Sequence, residues 1–212
     1  MDNEAPNNHP VLAVKGLTCS RYDIDLFTGL SFSISGGELL QIEGENGSGK
    51  TTLLRTLCGF IEPDEGEILW QGNRIKDVAA DFRGELNYLG HNNGIKAGLT
   101  CIENLKLACA LSRKLLTTDL DPVLDYYGLN GYQDSYAYSL SAGQRRRLAL
   151  ARLSLRDTKL WVLDEPFTSL DDKGRGLMKD IFMAHLGSSG MIIMTSHDRL
   201  EWENVNPVRL GL

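Results

Sequence analysis

Gly44-Glu45-Asn46-Gly47-Ser48-Gly49-Lys50-Thr51 stands between an apolar run, Leu39-Leu40-Gln41-Ile42, and a helical pattern, Thr52-Leu53-Leu54-Arg55-Thr56-Leu57. The eight residues fit G-x-x-x-x-G-K-T, and strand, loop and helix follow in the order that a phosphate-binding loop needs. The glycines let backbone N–H groups converge on phosphate oxygens. The helix that opens after them aims its positive end at the same place. Lys50 is placed to reach the β- and γ-phosphates and is a candidate catalytic residue. Thr51 offers a hydroxyl to Mg²⁺. Gly44, Glu45, Asn46, Gly47, Ser48, Gly49, Lys50, Thr51 and Thr52 are therefore the candidate nucleotide-binding residues.

The bulk properties suit that reading. A chain of 212 residues can bury one sizeable core. Its 42% hydrophobic and 24% charged content are ordinary for a globular protein. A net charge of −6 argues against a nucleic-acid partner, which calls for a basic balance. Cys19, Cys58, Cys101 and Cys109 show neither C-x-x-C nor zinc spacing, so they read as thiols in a reducing compartment. No run approaches the ~20 apolar residues that span a bilayer. Met1-Asp2-Asn3-Glu4-Ala5-Pro6 is too acidic and polar for a signal peptide.

Along the chain, the spacing predicts strands at Val11 to Val14, Leu26 to Ile34, Gly66 to Gly72 and Leu86 to Leu89. A helical stretch follows from about Cys101 to Arg156. Leu160-Trp161-Val162-Leu163 and Met191-Ile192-Ile193-Met194 are continuous apolar runs, suited to strands buried on both faces. A helix from Gly176 to Leu186 separates them, and Pro207-Val208-Arg209-Leu210 reads as an edge strand. Buried strands alternating with helices imply an α/β protein with a mainly parallel sheet. The helical stretch reads as an insertion.

Two further segments carry chemistry. Asp164 and Glu165 follow the Leu160–Leu163 run, so a buried strand delivers them to the edge where ligands bind in open α/β sheets. Asp164 can hold Mg²⁺, and Glu165 is placed to act as a base on water. Leu140-Ser141-Ala142-Gly143-Gln144 precedes Arg145-Arg146-Arg147. Ser141 and Gln144, three apart, form a capping-box pattern. The same helix start can present Ser141 and the Gly143 N–H to a phosphate. The arginines read as a solvated helix face or a nucleic-acid patch.

Phosphate loop, L-S-x-G-Q segment, aliphatic–Asp–Glu strand and a downstream His197, in that order, resemble the nucleotide-binding subunits of ATP-binding cassette (ABC) transporters. The resemblance implies a P-loop NTPase (RecA-like) fold: a mainly parallel sheet core, an N-terminal antiparallel β subdomain and an inserted helical subdomain. It implies one domain over 1–212, with the core at about 1–90 and 157–212 and the helical part at about 91–156. Ser141, Gly143 and Gln144 match the family signature, with Ala142 where glycine is commoner. Ser169-Leu170-Asp171 resembles the segment lining the subunit interface. His197 matches the histidine that contacts the γ-phosphate, and joins Glu165 and Lys50 as a candidate catalytic residue. His91 stands where a metal-sensing glutamine is usual, beside Thr51 and Asp164 as a candidate metal contact. Arg21 aligns with the adenine-stacking aromatic and Tyr22 is its neighbour; either plane could stack on the base.

Gln41 to Gly49, Leu69-Trp70-Gln71-Gly72, Gly90 to Lys96 and Leu163 to Thr168 further resemble the ATPase subunits of bacterial cytochrome c maturation haem exporters. That implies ATP and Mg²⁺ as cofactors and a homodimer of ATPase subunits. It also implies an integral membrane permease, a haem-handling membrane protein, a haem chaperone, and a peripheral place on the cytoplasmic face of the inner membrane. The rivals are another small ABC exporter, a DNA-repair-type ABC ATPase, a P-loop kinase of small molecules and a non-catalytic binding module. Fewer than about a hundred residues, without sustained heptads, separate Thr52 from Leu140, which leaves no room for the repair class's coiled coil. A kinase leaves Ser141 to Gln144 and His197 without a task, and Glu165 speaks against a non-catalytic module.

Overall fold

The computed structural model describes residues 11–22, 24–111, 119–196 and 207–212. Two sheets organise it. The first is antiparallel, in the order β2-β1-β4-β5, from β1 (Leu12–Arg21), β2 (Ile24–Ile34), β4 (Glu65–Trp70) and β5 (Asn73–Arg74). The second is parallel throughout, in the order β6-β7-β8-β3-β9. Its strands are β3 (Leu39–Glu43), β6 (Leu86–Leu89), β7 (Leu160–Leu163), β8 (Met191–Thr195) and β9 (Val208–Gly211). The predicted C-terminal edge strand is β9, which among the described residues pairs with β3 alone.

The helices are α1 (Lys50–Leu57), α2 (Ala79–Glu85), α3 (Cys101–Ala110), α4 (Asp121–Tyr126), α5 (Ala142–Ser154) and α6 (Asp172–Gly187). Strand period decides which of them covers which face of the parallel sheet. Leu39, Trp161, Leu163, Ile192 and Met194 face a core shared with α3, α4, α5 and α6. Leu40, Ile42, Leu160, Val162, Met191 and Ile193 face the other core, built with α1 and the antiparallel sheet. This is why β7 and β8 read as unbroken apolar runs: every residue in them is buried.

Some elements depart from the sequence reading. α6 begins at Asp172 rather than Gly176, because the Asp171 side chain accepts the Gly174 N–H at 2.8 Å and caps the helix upstream of both glycines. β1 runs on to Arg21, past the expected end at Val14, through register shifts against β2. The short, polar α2 buries only Phe82, so it leaves no periodic trace in the sequence.

Register sets where the site lies. Leu163 pairs with Met194, Ile42 with Thr195, and Leu89 with Leu163. The chain therefore leaves β3, β6, β7 and β8 at one carboxyl edge, next to Gly44, Gly90, Asp164 and Ser196.

Candidate active site

The loop between β3 and α1 needs its glycines. Gly47 and Gly49 have φ of 88° and 99°, which L side chains rarely adopt. At Gly49 a Cβ would also come within 3.0 Å of Leu26 Cβ, so β2 packs directly on the loop. Gly49 is the N-cap of α1 and offers no side chain, leaving the first turn's N–H groups for a ligand. Lys50 is buried and folds across the loop, donating to the Gly44 and Glu45 carbonyls at 2.7 and 2.9 Å. The hairpin tip between β1 and β2 carries Arg21 and Tyr22. Tyr22 is 84% exposed, with the Arg21 guanidinium 5.2 Å from its ring centroid.

Asp164 joins this loop to the far strand. Thr51 Oγ1 donates to one of its carboxylate oxygens at 2.8 Å, and Thr195 Oγ1 donates to the other at 2.8 Å. The Asp164 N–H donates to Leu89 O at 2.7 Å, which continues the β6–β7 ladder to the site. Glu165, half-buried, has a left-handed backbone with φ of 47°. Its N–H donates to the Thr195 hydroxyl at 2.9 Å. Thr195 thus binds both acids of the motif. Nothing in the sequence reading gave it a role. The available signal is a hydroxyl closing an otherwise apolar strand beside the one that ends in Asp164.

The signature segment folds as its capping pattern predicts. Ser141 Oγ accepts the Gln144 N–H at 3.2 Å, and Gln144 Oε1 accepts the Ser141 N–H at 2.8 Å. Gly143 passes close to the interface-like segment: a Cβ there would lie 3.2 Å from Ser169 O. Arg146 departs from the solvated face expected of the arginine run and is only 3% exposed. It lies on one helical stripe with Ala149, Leu150 and Leu153, all buried, and that spacing is the signal that finds it. Its guanidinium donates to Pro166 O at 2.9 Å, Glu165 O at 2.6 Å, Asp164 O at 3.3 Å and Asn93 Oδ1 at 2.7 Å. Burial lowers its pKa to about 10 against the pull of Asp164 and Glu165, so it stays charged at neutral pH.

The other candidates are less engaged. His91 is exposed, in the loop that leaves β6 beside β7. Among the described residues it makes no side-chain hydrogen bond to Thr51 or Asp164. His197 lies outside the described residues.

A glycine cradle at a helix start, with a buried carboxylate delivered to it by the neighbouring strands, defines a P-loop NTPase of the α/β class. Comparison with known proteins narrows this. The family model described as ABC transporter matches residues 27–168. The cytochrome c biogenesis ATP-binding export protein CcmA of Nitrosomonas europaea is 47% identical over 208 residues, covering 98% of each chain. The protein of the same name from Nitrosospira multiformis is 46% identical, over 96% of this chain and 99% of its own. That from Aliivibrio fischeri is 42% identical, over 95% and 100%. Among solved structures, an ATP-binding subunit of an ABC transporter superposes with a TM-score of 0.80 at 25% identity, covering 88% of this chain and 79% of that one. The cbiO1 protein of Clostridium perfringens, part of the ABC transporter complex cbiONQ, gives 0.71 at 26% identity, covering 89% and 79%.

The chain belongs to the ABC transporter family, as an ATP-binding and ATP-hydrolysing subunit. Among the described residues no helix is long and apolar enough to cross a membrane.

Proposed function

We propose that this chain is the ATPase of a complex serving c-type cytochrome biogenesis, powering haem export or the release of a haem-loaded chaperone. The observation that carries its chemistry is the 2.8 Å contact between Thr51 and Asp164, which brings phosphate loop and acidic strand end to one point. The biogenesis role rests on the names of relatives that match over nearly the whole chain.

Lys50 would exchange the Gly44 and Glu45 carbonyls for β- and γ-phosphate oxygens. The N–H groups opening α1 would bind the same phosphates, and the Arg21–Tyr22 tip would meet the base. Thr51 and Asp164 are hard oxygen donors in contact, a set that fits Mg²⁺, which commonly takes one or two protein ligands and completes its shell with phosphate and water. When bound, the ion neutralises charge developing on the phosphates. His91, in the loop that leaves β6, would be a further contact for the ion. Glu165 would take the proton of the attacking water, with His197 at the γ-phosphate.

α1 and α5 pack in different cores, on opposite faces of the parallel sheet. Lys50 and Ser141 therefore open helices on opposite sides of it. We infer that the second site is supplied in trans: two copies pair head to tail, and Ser141, Gly143 and Gln144 of each close on the triphosphate of the other. Elements between about 91 and 156 would form the subdomain that moves against the core and passes that motion to a membrane permease at the cytoplasmic face of the inner membrane.

Purified protein tests the chemistry. Mg²⁺-dependent ATP turnover is expected, and Lys50→Ala should lose binding of a fluorescent ATP analogue while keeping its circular dichroism. Binding undiminished in K50A would remove Lys50 from the site. A mild-detergent pull-down with mass spectrometry tests the setting. A multispanning membrane protein together with a haem chaperone supports the biogenesis role; an unrelated permease overturns it.

A further inference from the structure

We infer that Arg146 is a positioning residue, holding the Glu165 loop and the Asn93 loop in one register with the helix that Ser141 opens. The inference rests on the ATPase reading above and deepens it. Three successive carbonyls at the end of β7, those of Asp164, Glu165 and Pro166, accept from this one guanidinium. Its fourth bond crosses to Asn93, in the loop that leaves β6. Six residues along α5, Arg152 donates to the Asn93 and Gly94 carbonyls at 3.3 and 2.5 Å, so the helix grips that loop twice.

The need for such a clamp is visible at Glu165. Its φ of 47° is unfavourable for a residue with a Cβ, and such a backbone persists only where its surroundings over-determine it. Arg146 holds the Glu165 carbonyl and Thr195 holds its N–H, one on each side. With the peptide fixed at both ends, the Glu165 carboxylate has a defined origin. Any shift of α5 as a second copy closes on Ser141 must then carry the Glu165 loop and the Asn93 loop with it. Arg146 itself touches neither nucleotide nor water in this scheme. Lysine cannot replace it: one ammonium with three donors has no planar fork with which to span two loops.

The test compares Arg146→Lys and Asn93→Ala with wild type, reading turnover, affinity for a fluorescent ATP analogue and Tm. R146K should bind the analogue as wild type does and lose about 10²-fold in kcat, the scale expected when a reacting group is displaced by about 1 Å. N93A removes the cross-loop bond and should lose kcat with unchanged affinity and only a small fall in Tm, from the one Arg146 donor left without its acceptor. The double variant should be no slower than R146K, because both changes break one clamp. Wild-type kcat in R146K, or effects that multiply in the double variant, would overturn the inference. So would a kcat loss matched by an equal loss of affinity. If R146K fails to fold, N93A decides: undiminished turnover there refutes the clamp. A silent wild type sinks the ATPase reading and this inference with it. An active wild type matched by an equally active R146K sinks this inference only.

Discussion

At the scale of single residues, the site depends on groups that bond two partners at once. Thr195 is the clearest case: fully buried, its hydroxyl donates to Asp164 and accepts from the Glu165 N–H. Valine has the same shape and neither function. Thr195→Val should strand a buried N–H and one carboxylate oxygen, costing about 1–3 kcal/mol. For a chain of this length that lowers Tm by roughly 2–4 °C per kcal/mol. Turnover should fall too, and serine at 195 should restore both; a T195V protein with wild-type Tm and kcat would show the bonds to be incidental. His185 gives a pH prediction. Its ring stacks on Trp161 at 3.8 Å, and burial lowers its pKa below the usual imidazole value, opposed by contacts with the Met191 and Lys159 backbone and by Asp157. The unfolded chain then takes up a proton near pH ~6.5 while the folded one still resists it. Stability contributed by the neutral ring is full above that pH and is lost as pH falls below it. Tm measured from pH 8 to 5 should drop less steeply in His185→Phe than in wild type; parallel curves would rule His185 out.

At the scale of elements, legibility in the sequence followed burial pattern. β7 and β8 were readable because both faces of the sheet are covered, which forces apolar residues into every position. α5 was readable from its start, since Ser141 and Gln144 satisfy each other's backbone N–H groups. Removing that cap with Ser141→Ala should cost about 1 kcal/mol, read as a small fall in Tm. A larger loss of ATPase than of stability would mark Ser141 as more than a cap. What stayed hidden shares a physical cause: contacts made across the fold leave no local pattern. Arg146 looked solvated because three arginines in a row resemble a polar face, yet α5 turns the middle one inward against carbonyls more than fifteen residues away. α6 looked shorter than it is because Gly174 and Gly176 suggest a break, whereas the Asp171 cap starts the helix ahead of them. Of the candidate site, the phosphate loop and Asp164 were legible as motif and strand end. Thr195 was not, since its role exists only once β8 lies beside both β7 and β3.

At the scale of the whole molecule, the two cores set what one chain can do alone. α1 and the phosphate loop belong to the core under the antiparallel sheet, while α5 belongs to the core on the opposite face of the parallel sheet. In the proposed head-to-tail pair, a triphosphate held at Lys50 would have its own chain on one side and another copy's Ser141 on the other. Pairing should then depend on nucleotide and persist only as long as hydrolysis is blocked. Glu165→Gln keeps the size and backbone of the residue but removes the carboxylate proposed as base, so with ATP and Mg²⁺ it should elute as a stable dimer in size-exclusion chromatography with light scattering. Without nucleotide it should elute as a monomer. Adding Ser141→Arg to the same variant should return it to monomer with ATP present, because the new side chain fills the space the partner's triphosphate requires. The monomer should keep its circular dichroism, since Ser141 is exposed. A dimer that forms without nucleotide, or that survives S141R, would place the interface elsewhere on the molecule. In that event Ser141 to Gln144 would need a role within their own chain, where Gly143 already lies against the Ser169 carbonyl.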